Sequence, residues 1–241
     1  MASLHISISA EPIFYLGKYG FTSSMLVSLL TTFFLSLIAY KFYKNQTDKK
    51  SGFNLFIQSI IEALYNFAQT IAPQKAAQFF PLFASIFLFV ILASWAGLFP
   101  GVETIFINNG HESVPLLRGG TADLNITLGT AIVAVFMVQV FGYKNLGMSY
   151  FKKFINFTNP INFFVGLLEL ISEFAKIMSF SFRLFGNIFA GEVLLAVIAF
   201  LLPLFGPLPF IGLEIFVGFI QALVFATLTL VFVNIATTAH H

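Results

Sequence analysis

The sequence predicts an all-α, polytopic membrane protein. It has about five membrane-crossing helices and one amphipathic surface helix, and the last two crossing helices form a long, strongly tilted hairpin. Three observations predict this. Of 241 residues, 58% are apolar and 9% charged, whereas a soluble domain carries about a quarter charged residues. Thirty-four phenylalanines bring more apolar surface than one core of this size could hide. Finally, nearly charge-free runs recur at the length a helix needs to cross a membrane, roughly 20 residues at about 1.5 Å each against a hydrocarbon layer about 30 Å thick. Residues 1–241 therefore read as a single integral membrane domain.

Residues 1–20 hold Glu11 and Lys18 among mixed neighbours and read as a short polar lead-in. They lack the basic start and apolar core of a cleaved signal peptide. Residues 21–40 carry no charge and fit one span. Residues 53–72 differ: Asn54, Gln58, Glu62, Asn66 and Gln69 recur every three or four positions, on one helical face. Phe56, Ile57, Ile60, Ile61, Leu64 and Phe67 lie on the other face. This pattern predicts a helix lying along the membrane surface and ending at Ala72 and Pro73. Residues 81–100 and 124–142 supply the next two spans.

The last hundred residues break the simple pattern. Apolar helical character runs over 163–202 with no proline, interrupted by Gly186 and Gly191. A turn is expected at Pro203, Gly206, Pro207 and Pro209, and then a second long stretch over 211–238. The first stretch would reach about 60 Å as a helix and the second about 40 Å. Neither suits an upright crossing, and a steeply tilted hairpin fits both.

Lysine placement predicts orientation. Lys41, Lys44, Lys49 and Lys50 follow the first span, and Lys144, Lys152 and Lys153 follow the third. The intervening loop, 101–123, holds Arg118 with Glu103, Glu112 and Asp123. The lysine-rich loops are expected on the cytoplasmic side, with the amino terminus outside and the carboxyl terminus inside. A bacterial plasma membrane is the expected setting. A net charge of +2 gives no reason to expect nucleic acid, and the absence of cysteine excludes disulfides and thiolate metal sites. No internal repeat is evident, so the repeat pattern of many transporters is missing.

Residues 163–238 contain Glu169, Glu173, Lys176, Arg183, Glu192 and Glu214. A charge in the bilayer centre costs about 3 kcal/mol on insertion scales, so these residues lead the functional candidates. Glu169, Glu173 and Lys176 stand four and three apart and could pair locally, which is a structural role. Arg183 differs, having no carboxylate three or four positions away, and a guanidinium stays charged because its pKa exceeds about 12. Its counter-charge must come from another helix, another chain or water. Asn187, one turn on, can bond to the guanidinium but cannot neutralise it. Glu192, nine positions on, is about 14 Å away along the helix and on its opposite side. Glu214 and Gln221 share a face of the last helix. Two carboxyls set apart from a permanent cation suit a proton path with a barrier in the middle; a static proton-sharing pair between Glu192 and Glu214 is the structural alternative.

The run Ser179-Phe180-Ser181-Phe182-Arg183-Leu184-Phe185-Gly186-Asn187, followed by Ala190-Gly191-Glu192, resembles the hallmark of the F-type ATP synthase a subunit. Three further stretches agree: Phe80-Pro81-Leu82 leading to Gly97-Leu98-Phe99-Pro100-Gly101, then Thr121-Ala122-Asp123-Leu124-Asn125, and Gln221. The resemblance implies a stator subunit that forms two proton half-channels and, with a rotating c-ring, couples proton flow to rotation. It also implies peripheral stalk b subunits as partners, no cofactor, and no catalytic site in this chain. Sodium is an open alternative to the proton, because the partner ring largely binds the ion. By the resemblance, Arg183 matches the essential arginine facing the ring carboxylates, and Glu192 the carboxylate of the inlet half-channel. Gln221 matches a polar residue near the arginine, and Glu169 a glutamate of the cytoplasmic exit. Glu214 stands where some members have histidine, so two glutamates here depart from a His/Glu pattern. Glu173 receives no role from the resemblance. Asp123 fits either the inlet mouth or a helix cap, while His111 and Glu112 read as solvated. Two other classes remain to be weighed: a self-contained transporter using Arg183 to grip an anionic substrate, and a scaffold whose buried charges only tie helices together.

Overall fold

The computed structural model describes residues 12–16, 19–44, 52–98, 106–108, 113–115, 118–154, 160–203 and 205–238. Glu11, Lys18, Lys49, Lys50, Glu103, His111 and Glu112 lie outside them.

Helix α1 (Ser23–Lys44) starts where Thr22 caps it, the Thr22 hydroxyl accepting the Met25 N–H at 3.3 Å. Lys41 and Lys44 close its last turn, where positive charge suits the exposed carbonyls. Ser28, Thr31, Thr32 and Ser36 each donate to the carbonyl one turn earlier, so none needs water. Leu29, Leu30, Phe33, Phe34 and Leu37 are left uncovered, a surface suited to lipid.

Helix α2 (Gly52–Ile71) presents Gln58, Glu62, Asn66 and Gln69 outward and buries Leu64 and Ala68. Asn54 departs from the expected polar face, because it is buried. The chain turns through Ala72–Lys75 into α3 (Ala76–Ala96). This helix begins five residues before the expected start at 81, with Pro81 inside it. Proline there forfeits one backbone bond near the first turn, which the packing of Phe79 and Phe83 outweighs, both at most 1% exposed.

Helix α4 (Leu124–Leu146) overruns the expected end at 142 by one turn. It stops at Gly147, whose φ of 61° favours glycine, and a 3-10 segment follows (Gly147–Lys153). Helix α5 (Pro160–Leu201) is one unbroken run of 42 residues that Gly186 and Gly191 do not interrupt; it spans about 63 Å. Helix α6 (Pro207–Ala236) has 30 residues and spans about 45 Å. It starts before the expected 211: Pro207 and Pro209 stand in its first turn rather than in the loop, because proline's missing N–H has no partner there anyway.

Among the described residues, five of the six α-helices are long and apolar enough to cross a membrane. Two small hairpins join them. Strand β1 (Pro12–Leu16) pairs antiparallel with β2 (Tyr19–Thr22), and β3 (Phe106–Asn108) pairs with β4 (Ser113–Pro115). The lead-in is thus partly a hairpin, which its aromatic and β-branched residues favour.

The helices α3, α4, α5 and α6 share one core. Ala131, Ala134, Ala222 and Ala226 are fully buried within it, and such small residues let helices approach closely in lipid. Aromatic contacts show which ends meet. Phe79 of α3 packs on Phe141 of α4, with centroids 5.4 Å apart, and Phe180 of α5 packs on Phe232 of α6 at 5.7 Å. Lys75 donates to the Thr237 carbonyl at 2.8 Å, and Trp95 Nε1 to the Ile215 carbonyl at 3.0 Å. The start of α3 therefore lies by the end of α6, and its end by the start of α6.

Candidate functional site

Two contacts set the register of the hairpin. Phe180 meets Phe225 with centroids 4.8 Å apart, and the Glu214 carboxylate lies directly on Gly191. From 180 to 191 is eleven residues on α5, and from 225 to 214 is eleven on α6, so the two helices run in step. Arg183, three residues past Phe180, stands level with Ala222, beside Gln221. Gln221 is half-buried.

The rotation of α5 is set by its buried positions Phe180, Ser181, Leu184, Ile188 and Gly191. Ser181 adds a hydroxyl contact of 3.2 Å to Thr127 on α4. With that face held inward, Ser179, Phe182, Arg183, Gly186, Asn187 and Ala190 face outward and exposed. Arg183 donates to the Ser179 hydroxyl at 3.3 Å. Among the described residues no carboxylate pairs with Arg183. A stripe of small residues, Ser172, Ala175, Ser179, Gly186 and Ala190, runs along this outward face past the guanidinium, with Phe182 beside it. Such a face admits another helix at close range.

Nine residues further along α5 is a polar cluster. Arg118, in the connection to α4, donates from Nη2 at 3.1 Å and from Nε at 3.2 Å to Glu192 Oε2. Glu214 is 7% exposed, and its Oε1 has no hydrogen-bond partner. Gly119 and Gly97 make the site possible. A Cβ on Gly97 would come within 2.8 Å of the Gly119 Cα, and one on Gly119 within 3.2 Å of Glu192 Oε1. Behind them, Ser94 and Thr121 join hydroxyls at 3.1 Å. Asp123 caps α4, accepting the Asn125 N–H at 2.9 Å and the Thr22 hydroxyl at 3.3 Å.

Ten residues to the other side of Arg183 is a second cluster. Lys176 Nζ reaches Glu173 Oε1 at 2.7 Å and sits 4.7 Å above the Phe232 ring. Glu173 is 8% exposed, with Oε2 unpartnered. Tyr150 donates to Gln139 Oε1 at 2.7 Å, and its ring lies against Gly142. Glu169 is half-buried one turn before Glu173.

The structure thus brings Glu192 and Glu214 together at one end of α5, sets Glu173 and Lys176 toward the other, and leaves Arg183 between them. Along the axis the guanidinium's residue is about 14 Å from Glu192 and about 15 Å from Glu173. The local pairing of Glu173 with Lys176 is present, whereas Glu192 engages Arg118 rather than sharing a bond with Glu214. Sequence reasoning passed over Arg118, which stood out only as the single cation of its loop. It also missed Tyr150 and Gln139, whose types and spacing carry no signal.

The chain matches the family model described as ATP synthase A chain over residues 22–234. It is also similar to the protein named ATP synthase subunit a, chloroplastic, of Oedogonium cardiacum. The two are 34% identical over 191 residues, which cover 79% of this chain and 72% of that one. A multi-pass membrane protein with a stranded arginine on its longest helix, matched over most of its length by this family, belongs to it: the chain is a member of the ATP synthase A chain family, the proton-channel stator subunit of the Fo membrane sector.

Proposed function

We propose that Arg183 is the electrostatic divider between two proton half-channels, with Glu192 and Glu214 on the inlet side and Glu169 and Glu173 on the exit side. The observation that carries this reading is the position of Arg183: outward on α5, bonded to Ser179, without a carboxylate partner among the described residues, and midway between two acidic clusters. A guanidinium cannot shed its charge, and leaving it uncompensated in lipid costs several kcal/mol. A partner bearing a carboxylate on a close-packed helix would supply the missing counter-ion, and a ring of small hairpin proteins is such a partner.

The mechanism follows from charge. A ring carboxylate beside Arg183 is favoured as an anion, and it releases its proton toward the exit cluster. Moved on into apolar surroundings it is favoured neutral, and it takes a proton that has passed Glu192 and Glu214. Ser179 holds the guanidinium, and Asn187, one turn on along α5, and Gln221, near its level on α6, are the polar side chains that would meet it as the ring passes. The fixed cation repels protons and so prevents a direct leak between the half-channels. A potential of 100 mV supplies about 2.3 kcal/mol per charge to bias rotation. The lengths of α5 and α6 imply that they lie steeply tilted beside the ring. The stalk b subunits hold the chain still, and sodium in place of the proton would leave this electrostatic logic intact.

The lysine-rich ends, with Lys41, Lys44 and Lys144, support an amino terminus outside and a carboxyl terminus inside a plasma membrane or its organellar equivalent. Asp123 is engaged as a helix cap, which supports a structural role for it rather than one at the inlet mouth.

The chain contains no cysteine, so single cysteines report cleanly. In the assembled synthase, Asn187→Cys and Ser179→Cys should cross-link to a cysteine beside the ring carboxylate, and Leu184→Cys should not. Cross-linking from Leu184→Cys with none from Asn187→Cys would overturn the assignment of this face.

A further inference from the structure

We propose that Arg118 is a positioning residue of the inlet half-channel, one that fixes Glu192 as its counter-ion and leaves Glu214 as the group that takes and passes the proton. This rests on the half-channel reading above and divides the work between its two glutamates.

Glu214 lies on Gly191, the residue before Glu192 in α5, yet the surroundings of the two carboxyl groups differ. Glu192 Oε2 accepts two N–H bonds from one guanidinium, from Nη2 and Nε. Charge-assisted bonds of this kind are about twice as strong as neutral ones and hold a carboxylate in one orientation. Glu214 has no such partner. It is 7% exposed, Oε1 accepts nothing, and the carboxyl lies on the bare backbone of Gly191. An unpaired anion in such a site is expensive, whereas a carboxyl that carries a proton is not.

Among the described residues, the charged and titratable groups there come from three elements: Arg118 from the α3–α4 connection, Glu192 from α5 and Glu214 from α6. Trp95, from α3, is committed to the Ile215 carbonyl. Glycines at 97 and 119 let the connection fold tightly enough to bring Arg118 over Glu192, so the ion pair is a built feature rather than a chance surface contact.

The test uses the whole synthase in inverted vesicles and a lipid-soluble carbodiimide, which adds to protonated carboxyl groups, with modified peptides read by mass spectrometry. Glu214 should be modified and Glu192 spared. In Arg118→Gln, Glu192 should become modified as well, and ATP-driven pumping should fall on the order of tenfold as the acid loses its place. Arg118→Lys should restore most of both. Adding Arg118→Gln to Glu192→Gln should lower pumping no further, because the arginine acts through that glutamate. Modification of Glu192 in the unaltered protein would overturn the proposal. So would a lysine variant no better than the glutamine one, or additive losses in the double variant. Should Arg118→Gln fail to assemble, the unaltered protein and Arg118→Lys still decide the matter by labelling. Failure of the underlying reading looks different: Glu192→Gln and Glu214→Gln would both pump normally, whatever the labelling.

Discussion

Replacing Gly191 with alanine probes the inlet cluster without removing any functional group. A Cβ built on Gly191 falls on the Glu214 carboxylate, inside van der Waals contact with both oxygens and the carbon between them. Ordinary contact needs about 3.5 Å, so the carboxyl must retreat by more than an ångström. The retreat is cheap for folding, because what it meets is the end of a flexible side chain. Helix α5 should also gain slightly, since alanine is favoured over glycine in a helix by about 1 kcal/mol. For proton transfer the same shift is severe: a displacement of about 1 Å in a reacting group can lower a rate about 100-fold. Gly191→Ala should therefore assemble in normal amounts and pump protons ten to 100 times more slowly. Fluorescence quenching in inverted vesicles measures pumping, and immunoblotting of the purified complex measures assembly. Normal pumping by a normally assembled variant would refute the claim that the position of Glu214 governs the inlet. Gly129→Ala, in α4, is the control: a Cβ there meets nothing within 4 Å.

Other outcomes follow from the same geometry. Asp123→Ala removes the cap of α4 and the bond from Thr22, and should lower stability by about 1 kcal/mol; Asp123→Asn should recover most of that in a thermal-retention assay of the detergent-extracted complex. Lys176→Met strands Glu173 in a buried setting and should destabilise by about 1–3 kcal/mol. Pairing it with Glu173→Gln should remove most of the loss, and equal losses in single and double variants would contradict the ion pair. Trp95→Phe forfeits its bond to the Ile215 carbonyl and loosens the start of α6, which should appear as faster backbone hydrogen exchange there.

The helical class and the surface helix were legible because periodicity and charge-free length are local properties, seen in residues 21–40 and in the spacing of Gln58, Glu62, Asn66 and Gln69. The extraordinary length of α5 was legible too, because no proline interrupts it. Helix starts were not: Pro81, Pro207 and Pro209 read as boundaries, yet Pro207 and Pro209 stand in a first turn where proline forfeits little, and the packing of Phe79 and Phe83 outweighs the bond that Pro81 forfeits. The hairpin Pro12–Leu16 with Tyr19–Thr22 was hidden in a segment too short and mixed to show alternation.

At the site, isolation made Arg183 visible, since a permanent charge in an apolar run has no local excuse. Glu192 and Glu214 were visible for the same reason, but their different environments were not. That difference depends on Arg118, 74 residues away from Glu192 in sequence, and on two glycines whose close approach exists only in the folded chain. Asn54 and Asp123 show the reverse case, polar residues whose burial follows from packing rather than pattern.

The central claim is that the Arg183 charge separates the two half-channels and draws protons from the passing ring carboxylates. Its most direct test is ATP-driven proton pumping by the assembled synthase carrying Arg183→Ala, with passive proton leak measured in the same vesicles. The account predicts an intact complex, no pumping and a raised leak. Coupled pumping at the unaltered rate, with vesicles as proton-tight as before, would contradict it.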